Sequence, residues 1–248
     1  MSLRIVFKDL VIYEDDNVIA INKPAHISSL HERFDSGVLS IVELVKKANE
    51  NYSLCHRIDR ETSGVMLIAK NPETYRHIAM QFEKRTITKV YHAMVSAPVN
   101  IQGLRVDLPL YTDSKRRVQV SKKNGKESLT EFNTIKQYKH FSLLACKPFT
   151  GRLHQIRVHA ASQNLPLVCD ELYGGKVPFL SDIKRKVKSE MVSRDGSEEK
   201  RSLINRVALH AFSIEFDSPG KGLTYIEAPY PKDFEVLVKL LDKYDMVS

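Results

Sequence analysis

The chain has 248 residues, long enough to bury a sizeable core, with 42% hydrophobic and 27% charged residues as in an ordinary globular protein. No apolar run approaches the ~18 residues of a membrane-spanning helix. Acidic residues in the opening MSLRIVFKDLVIYEDD occupy the place of a secretory signal's apolar stretch. Three scattered cysteines, Cys55, Cys146 and Cys169, lie outside any CxxC spacing, which argues against a disulfide framework or a zinc site and fits the cytoplasm. The net charge of +8 suits a polyanionic partner.

In chain order, short strands are expected at Arg4–Phe7 and Val11–Tyr13, then a stronger one at Val18–Asn22 that ends at Lys23-Pro24. Leu39–Ala48 has the apolar spacing of an amphipathic helix. Val65–Ala69 is a continuous apolar run, short enough for a buried strand. Asn71-Pro72 supplies a cap and a first-turn proline for a helix reaching about Lys84. Strand patterns follow at Lys89–Val95, Val118–Ser121, Ser128–Ile135 and Phe141–Cys146, with Asn124-Gly125 as a hairpin signal between the second and third. Leu153–Ser162 reads as a helix, Ala208–Phe216 and Leu223–Ala228 as strands, and Lys232 to Lys243 as a final helix.

This uneven succession points to an α+β fold, a single domain over residues 1–248 on a mostly antiparallel, mixed sheet with helices packed around it. Residues 176–206 stand apart as a charged insertion, with a short helix expected over Asp182–Met191. The Lys184-Arg185-Lys186 and Lys188 cluster there has no aromatic residue among it to stack on bases.

Two segments carry more polar chemistry than a core needs. His56-Arg57-Ile58-Asp59-Arg60-Glu61-Thr62-Ser63-Gly64 runs directly into the Val65–Ala69 strand, so a carboxylate is set beside an apolar strand, where it calls for a cation. Thr150 to His159, TGRLHQIRVH, leads a glycine-containing loop into a helix on which Gly151, His154 and Arg157 share one side while Leu153, Ile156 and Ala160 face inward. Arg157 is then a plausible partner for Asp59, keeping it charged. His154 and His159 face different sides of that helix, and no third ligand accompanies them, so a metal is not expected.

HRIDRETSG before an apolar strand, with GRLHQIRVHAASQNLPLVCDELYG further on, resembles the two long motifs of the RluA-type RNA pseudouridine synthases. Ala20-Ile-Asn-Lys-Pro24, Lys89-Val-Tyr91, Gly125-Lys126 with Thr130, and Leu209-His210-Ala211 extend the match over about residues 12–234. The resemblance implies the pseudouridine synthase fold and an isomerase without cofactors, acting on structured RNA, ribosomal RNA slightly favoured over tRNA. It implies that Asp59 is the catalytic aspartate, that Tyr91 stacks on the target base and that Arg157 pairs with Asp59. Arg57 would fill the space vacated by the flipped base, and Leu209 would form an apolar wall near it. Arg60 and His154 join them as substrate-binding residues.

Two departures stand out. The family often has Lys-Pro-x-Gly where this chain has His26 in the fourth place, and the small N-terminal RNA-binding (S4) domain of many bacterial members is not expected here. A monomer with no required protein partner is the default expectation, and the lack of a long apolar run argues against a membrane span. An inactive RNA-binding or ribosome-assembly protein on the same fold is the alternative. A glycoside-type hydrolase would need a second carboxylate, for which Glu61 is the nearest candidate. Whether Asp59 attacks C1′ or acts as a base on the sugar stays open.

Overall fold

The computed structural model describes residues 5–31, 39–184 and 202–247. Its elements in chain order are β1 (Val11–Glu14), β2 (Val18–Lys23), α1 (Ile41–Ala48), β3 (Ser53–Leu54), β4 (Ser63–Ala69), α2 (Pro72–Glu83) and β5 (Thr88–Val95). There follow β6 (Leu104–Asp107), β7 (Leu110–Thr112), β8 (Val118–Val120), β9 (Leu129–Gln137) and β10 (Ser142–Pro148). The last are α3 (Gln155–Ser162), α4 (Leu180–Ile183), β11 (Leu209–Ser218), β12 (Gly222–Glu227) and α5 (Lys232–Tyr244). The chain condenses into two compact units, one of Met1–His92, Lys147–Leu153 and Leu209–Pro229, the other of Ala93–Cys146, His154–Ala208 and Tyr230–Ser248.

In the first unit the hydrogen-bonded order is β1-β2-β4-β11-β5, with β3 added on β4 and β12 on β11. β2 pairs antiparallel with both β1 and β4, and β11 with β12, whereas β4 and β11 run parallel. This is the mixed, mostly antiparallel sheet expected of the sequence. Asp15 Oδ1 accepts from the N–H groups of Asn17 and Val18, closing the turn that delivers β2. Every residue of β4 is buried, which explains its unbroken apolar run. The core gathers Val18–Ile21, Val65–Ile68, Ile41 and Val45 of α1, Ile78 of α2, and Ile214 and Phe216 of β11. Asn71 caps α2 as expected, its side chain accepting from Thr74 N–H at 2.8 Å, with Pro72 opening the helix.

In the second unit the order is β5-β10-β9-β6, and β7 and β8 form a separate two-stranded sheet. Phe234, Leu237 and Leu241, one stripe of α5, pack with Tyr138, Phe141, Leu143 and Ala208. Among the described residues no helix is long and apolar enough to cross a membrane.

Several expectations shift. Of the strand expected at Arg4–Phe7, Arg4 lies outside the described residues, and Phe7–Leu10 forms a 3-10 turn. Asn124-Gly125 does not join two paired strands: β8 pairs with β7, and β9 with β6. These partners are only three and four residues long and were not anticipated. The glycine is required there for close approach, because a Cβ on Gly125 would meet Ser121 O at 2.3 Å. Within the charged insertion a helix spans Leu180–Ile183, and the remainder of the one expected over Asp182–Met191 falls largely outside the described residues. Arg185, Lys186 and Lys188 lie outside them as well.

Candidate active site

Asp59 stands in the loop that enters β4, half-buried between exposed Arg57 and Arg60. The segment Lys23–Ser29, which leaves the end of β2, straps this loop on both sides of the aspartate. Ser29 Oγ donates to Ile58 O at 2.6 Å and accepts from Ile58 N–H at 3.2 Å. The fully buried Lys23 ammonium donates to Pro24 O and Ile27 O, both at 2.8 Å, and to Arg60 O at 3.2 Å. Three carbonyl dipoles thus replace the water that a buried cation loses. Arg60 Nε donates to His26 O at 3.2 Å, and the His26 ring lies 3.2 Å from the Glu61 carboxylate.

His26 has φ +67°, the left-handed region that favours glycine. This accounts for the glycine that family members often carry in the fourth place of Lys-Pro-x-Gly. Here a histidine takes the strained conformation and contacts the Asp59 loop.

The loop is tied to β4 by His56, whose Nε2 accepts from Leu67 N–H at 3.0 Å. The imidazole must therefore be neutral, and burial, followed by the nearby Lys89 charge, pushes its pKa down to about 3. Thr62 N–H closes a turn on Asp59 O at 3.1 Å. Among the described residues the Asp59 carboxylate makes no hydrogen bond or ion pair, and no side-chain oxygen or nitrogen is sealed from solvent without a partner. The carboxylate therefore opens to solvent. Tyr91 of β5 is near enough to feel it: burial first, and then the negative charge of Asp59, push the phenol well above its usual range. Its ring packs against the first unit's core.

Leu209 is buried at the start of β11. The next residue, His210, donates through Nε2 to Ala228 O at 3.0 Å and therefore accepts from Ser63 Oγ at Nδ1, at 2.9 Å. This bond fastens β11 to the residue before Gly64. There φ is +119° and a Cβ would stand 2.2 Å from Ala211 O, so only glycine fits the junction.

In the second unit α3 begins at Gln155, not at Leu153, because His154 adopts φ +51° and breaks the helical run before it. Gly151 is consequently outside the helix, and the i, i+3 line of Gly151, His154 and Arg157 does not form. Arg157 and His154 still converge on Tyr173. Arg157 donates through Nε and Nη2 to the two Asp170 oxygens at 2.7 and 2.6 Å, and its guanidinium sits 5.0 Å from the Tyr173 ring centroid. His154 Nδ1 and the Tyr173 hydroxyl are hydrogen-bonded at 2.8 Å. Behind them Thr130 Oγ1 bridges Gln155 Nε2 and His159 Nδ1, at 3.0 and 2.9 Å. Asp170 and Tyr173 were inside the second motif, as DELY, but sequence reasoning gave them no role. Lys23, Ser29 and His56 were missed as supports, although Lys23-Pro24 and HRID were both noticed.

The RNA pseudouridylate synthase family model matches residues 17–162. Ribosomal large subunit pseudouridine synthase D of Borreliella burgdorferi is 32% identical over 250 residues, covering 96% of this chain and 70% of the relative. Ribosomal large subunit pseudouridine synthase C of Buchnera aphidicola subsp. Baizongia pistaciae is 34% identical over 247 residues, covering 96% and 72%. The solved structure of human RNA pseudouridylate synthase domain containing 4 shares the fold, with a TM-score of 0.69 over 95% of each chain at 21% identity. The family match spans the Asp59 loop, the β5 tyrosine and the HQIR helix, and with it the chain belongs to the RNA pseudouridylate synthase family.

Proposed function

We propose that the chain isomerises uridines of structured RNA, ribosomal RNA in particular, to pseudouridine, with Asp59 as the reacting carboxylate. Family membership makes it an isomerase acting on RNA. The ribosomal target is inferred from the names of the relatives. The observation that carries the Asp59 assignment is a carboxylate locked at its backbone on both sides, open to solvent at its oxygens and electrostatically coupled to Tyr91.

The reaction breaks the N1–C1′ bond and joins C5 to C1′, with the C5 proton lost and a proton taken up at N1. It consumes no electrons and no phosphate energy. Asp59 serves either as nucleophile at C1′ or as base on the sugar, and either role needs a charged, accessible carboxylate. Everting the uridine costs a few kcal/mol, roughly, and stacking on an aromatic face returns about 1–3 kcal/mol. Tyr91 is the face we assign, its hydroxyl kept protonated by its surroundings. Arg57 fills the gap in the RNA, Leu209 walls the base, and Arg60 and His154 contact the RNA. Arg157, its guanidinium oriented by Asp170, is the further catalytic residue we assign.

Asp59→Asn removes the charge and keeps the shape. We expect it to abolish tritium release from C5-labelled uridine RNA while RNA affinity stays within about tenfold, since phosphate contacts dominate binding. Substantial turnover in this variant would reject Asp59 as the reacting group. Mapping pseudouridines in total RNA from a deletion strain identifies the target; loss of a tRNA site alone would overturn the ribosomal assignment.

A further inference from the structure

β5 brings a second group to the Tyr91 side of the first unit. Side chains alternate along a strand, so Lys89 and Tyr91 share one face. The Lys89 ammonium lies 5.8 Å from the centroid of the Phe82 ring of α2, and the His56 ring packs on the same phenyl group at 5.0 Å. Among the described residues the Lys89 side chain makes no hydrogen bond and no ion pair, and its nitrogen is not sealed from solvent. The groups shown near it are the neutral His56 imidazole and the Phe82 ring. Burial alone acts on it, pushing its pKa down to about 8. A half-buried cation with no internal anion is costly unless a ligand supplies one. At neutral pH it is chiefly an ammonium, a donor with no acceptor capacity, suited to holding an anion and not to taking a proton.

We propose that Lys89 binds a phosphodiester oxygen of the RNA strand beside the uridine that stacks on Tyr91. The inference rests on the proposed function, which puts an everted nucleotide on that face, and it assigns Lys89 a substrate-binding role. The contact adds affinity without reading sequence, as backbone contacts do.

The sign of its pH dependence follows from the free and bound states. A phosphate partner raises the lysine's pKa in the complex, so the contribution is fully present below the free value of about 8 and is lost as pH rises past it. His56 and Tyr91 do not titrate near pH 8.

The test measures the affinity of the full chain for an end-labelled RNA stem–loop with uridines in its loop, against salt and pH. For wild type we expect affinity to fall up to about tenfold between about pH 7 and 9. Lys89→Gln should weaken binding about tenfold at neutral pH, lower the salt slope by about 1, and flatten the pH profile. Lys89→Arg should keep the affinity and also flatten the profile, since a guanidinium stays charged. Lys89→Gln discards a desolvated charge and should melt no lower than wild type, so folding does not confound it.

Binding by Lys89→Gln within about twofold of wild type, with an unchanged salt slope, would overturn the assignment. So would a pH-dependent fall that persists in Lys89→Arg. Turnover on ribosomal RNA is scored separately: a wild-type chain forming no pseudouridine would reject the isomerase reading while leaving a Lys89-dependent salt slope standing.

Discussion

Arg157 is 8% exposed and Asp170 only 1%, so their two parallel hydrogen bonds are made away from water. Such a pair is dear to break, because removing one member strands the other as an uncompensated charge. Arg157→Ala should therefore destabilise the protein by about 3–5 kcal/mol in equilibrium denaturation and lose pseudouridine formation. Arg157→Lys should restore little of either, since an ammonium neither makes the bidentate pair nor stacks on Tyr173. A lysine variant with wild-type melting and turnover would show that charge alone is sufficient at this position.

At the scale of elements, the site depends on how β4 enters the sheet. Its first residues pair in parallel with β11 at Ser63↔His210 and Gly64↔Ala211, directly after the Asp59 loop. An alanine at Gly64 would hold an unfavourable φ of +119° and drive its Cβ into Ala211 O. Backbone strain and overpacking at about 1–3 kcal/mol each predict a loss of about 2–6 kcal/mol for Gly64→Ala. Thermal unfolding gives the size of the loss, and amide exchange at Leu209–Ala211 tests its place. An unperturbed β11 would separate the glycine from the pairing. The strap of Lys23–Ser29 acts on the same loop from the other side, so Asp59 is held through the backbone of its neighbours and not by its own oxygens.

Across the whole molecule, half-buried neutral histidines should limit stability in acid. His56 is held to about 3 and His92 to about 4, burial being the leading cause for both. Each titrates near 6.5 once unfolded, so the unfolded chain binds more protons between those values. Stability should be full above about pH 6.5 and decline as pH falls toward about 4. Replacing His56 by Gln, whose side-chain oxygen also accepts from Leu67 N–H, should flatten part of that decline in melting curves recorded over this range. An identical decline in His56→Gln would remove His56 from the account. The net charge of +8 operates on the same scale, drawing polyanions to the molecule without selecting among them.

Local chemistry by itself determined much of this protein. The unbroken apolar run of β4, the Asn71-Pro72 start of α2 and the apolar stripe of α5 all report burial through spacing along one stretch of chain. The family was legible because the motifs that hold Asp59, Tyr91 and Arg157 are each contiguous. Tertiary structure alone decided what those residues touch: Asp170 lies 13 positions from Arg157, Ser29 lies 29 from Ile58, and Lys23 lies 37 from Arg60. It also paired β6 with β9 and β7 with β8, and it set the start of α3 after His154. A hydrophobic period records that a face is buried and carries no label for the partner that buries it. Partners are chosen when distant segments close on one another, and the positive φ angles at His26, Gly64 and His154 are part of that closure.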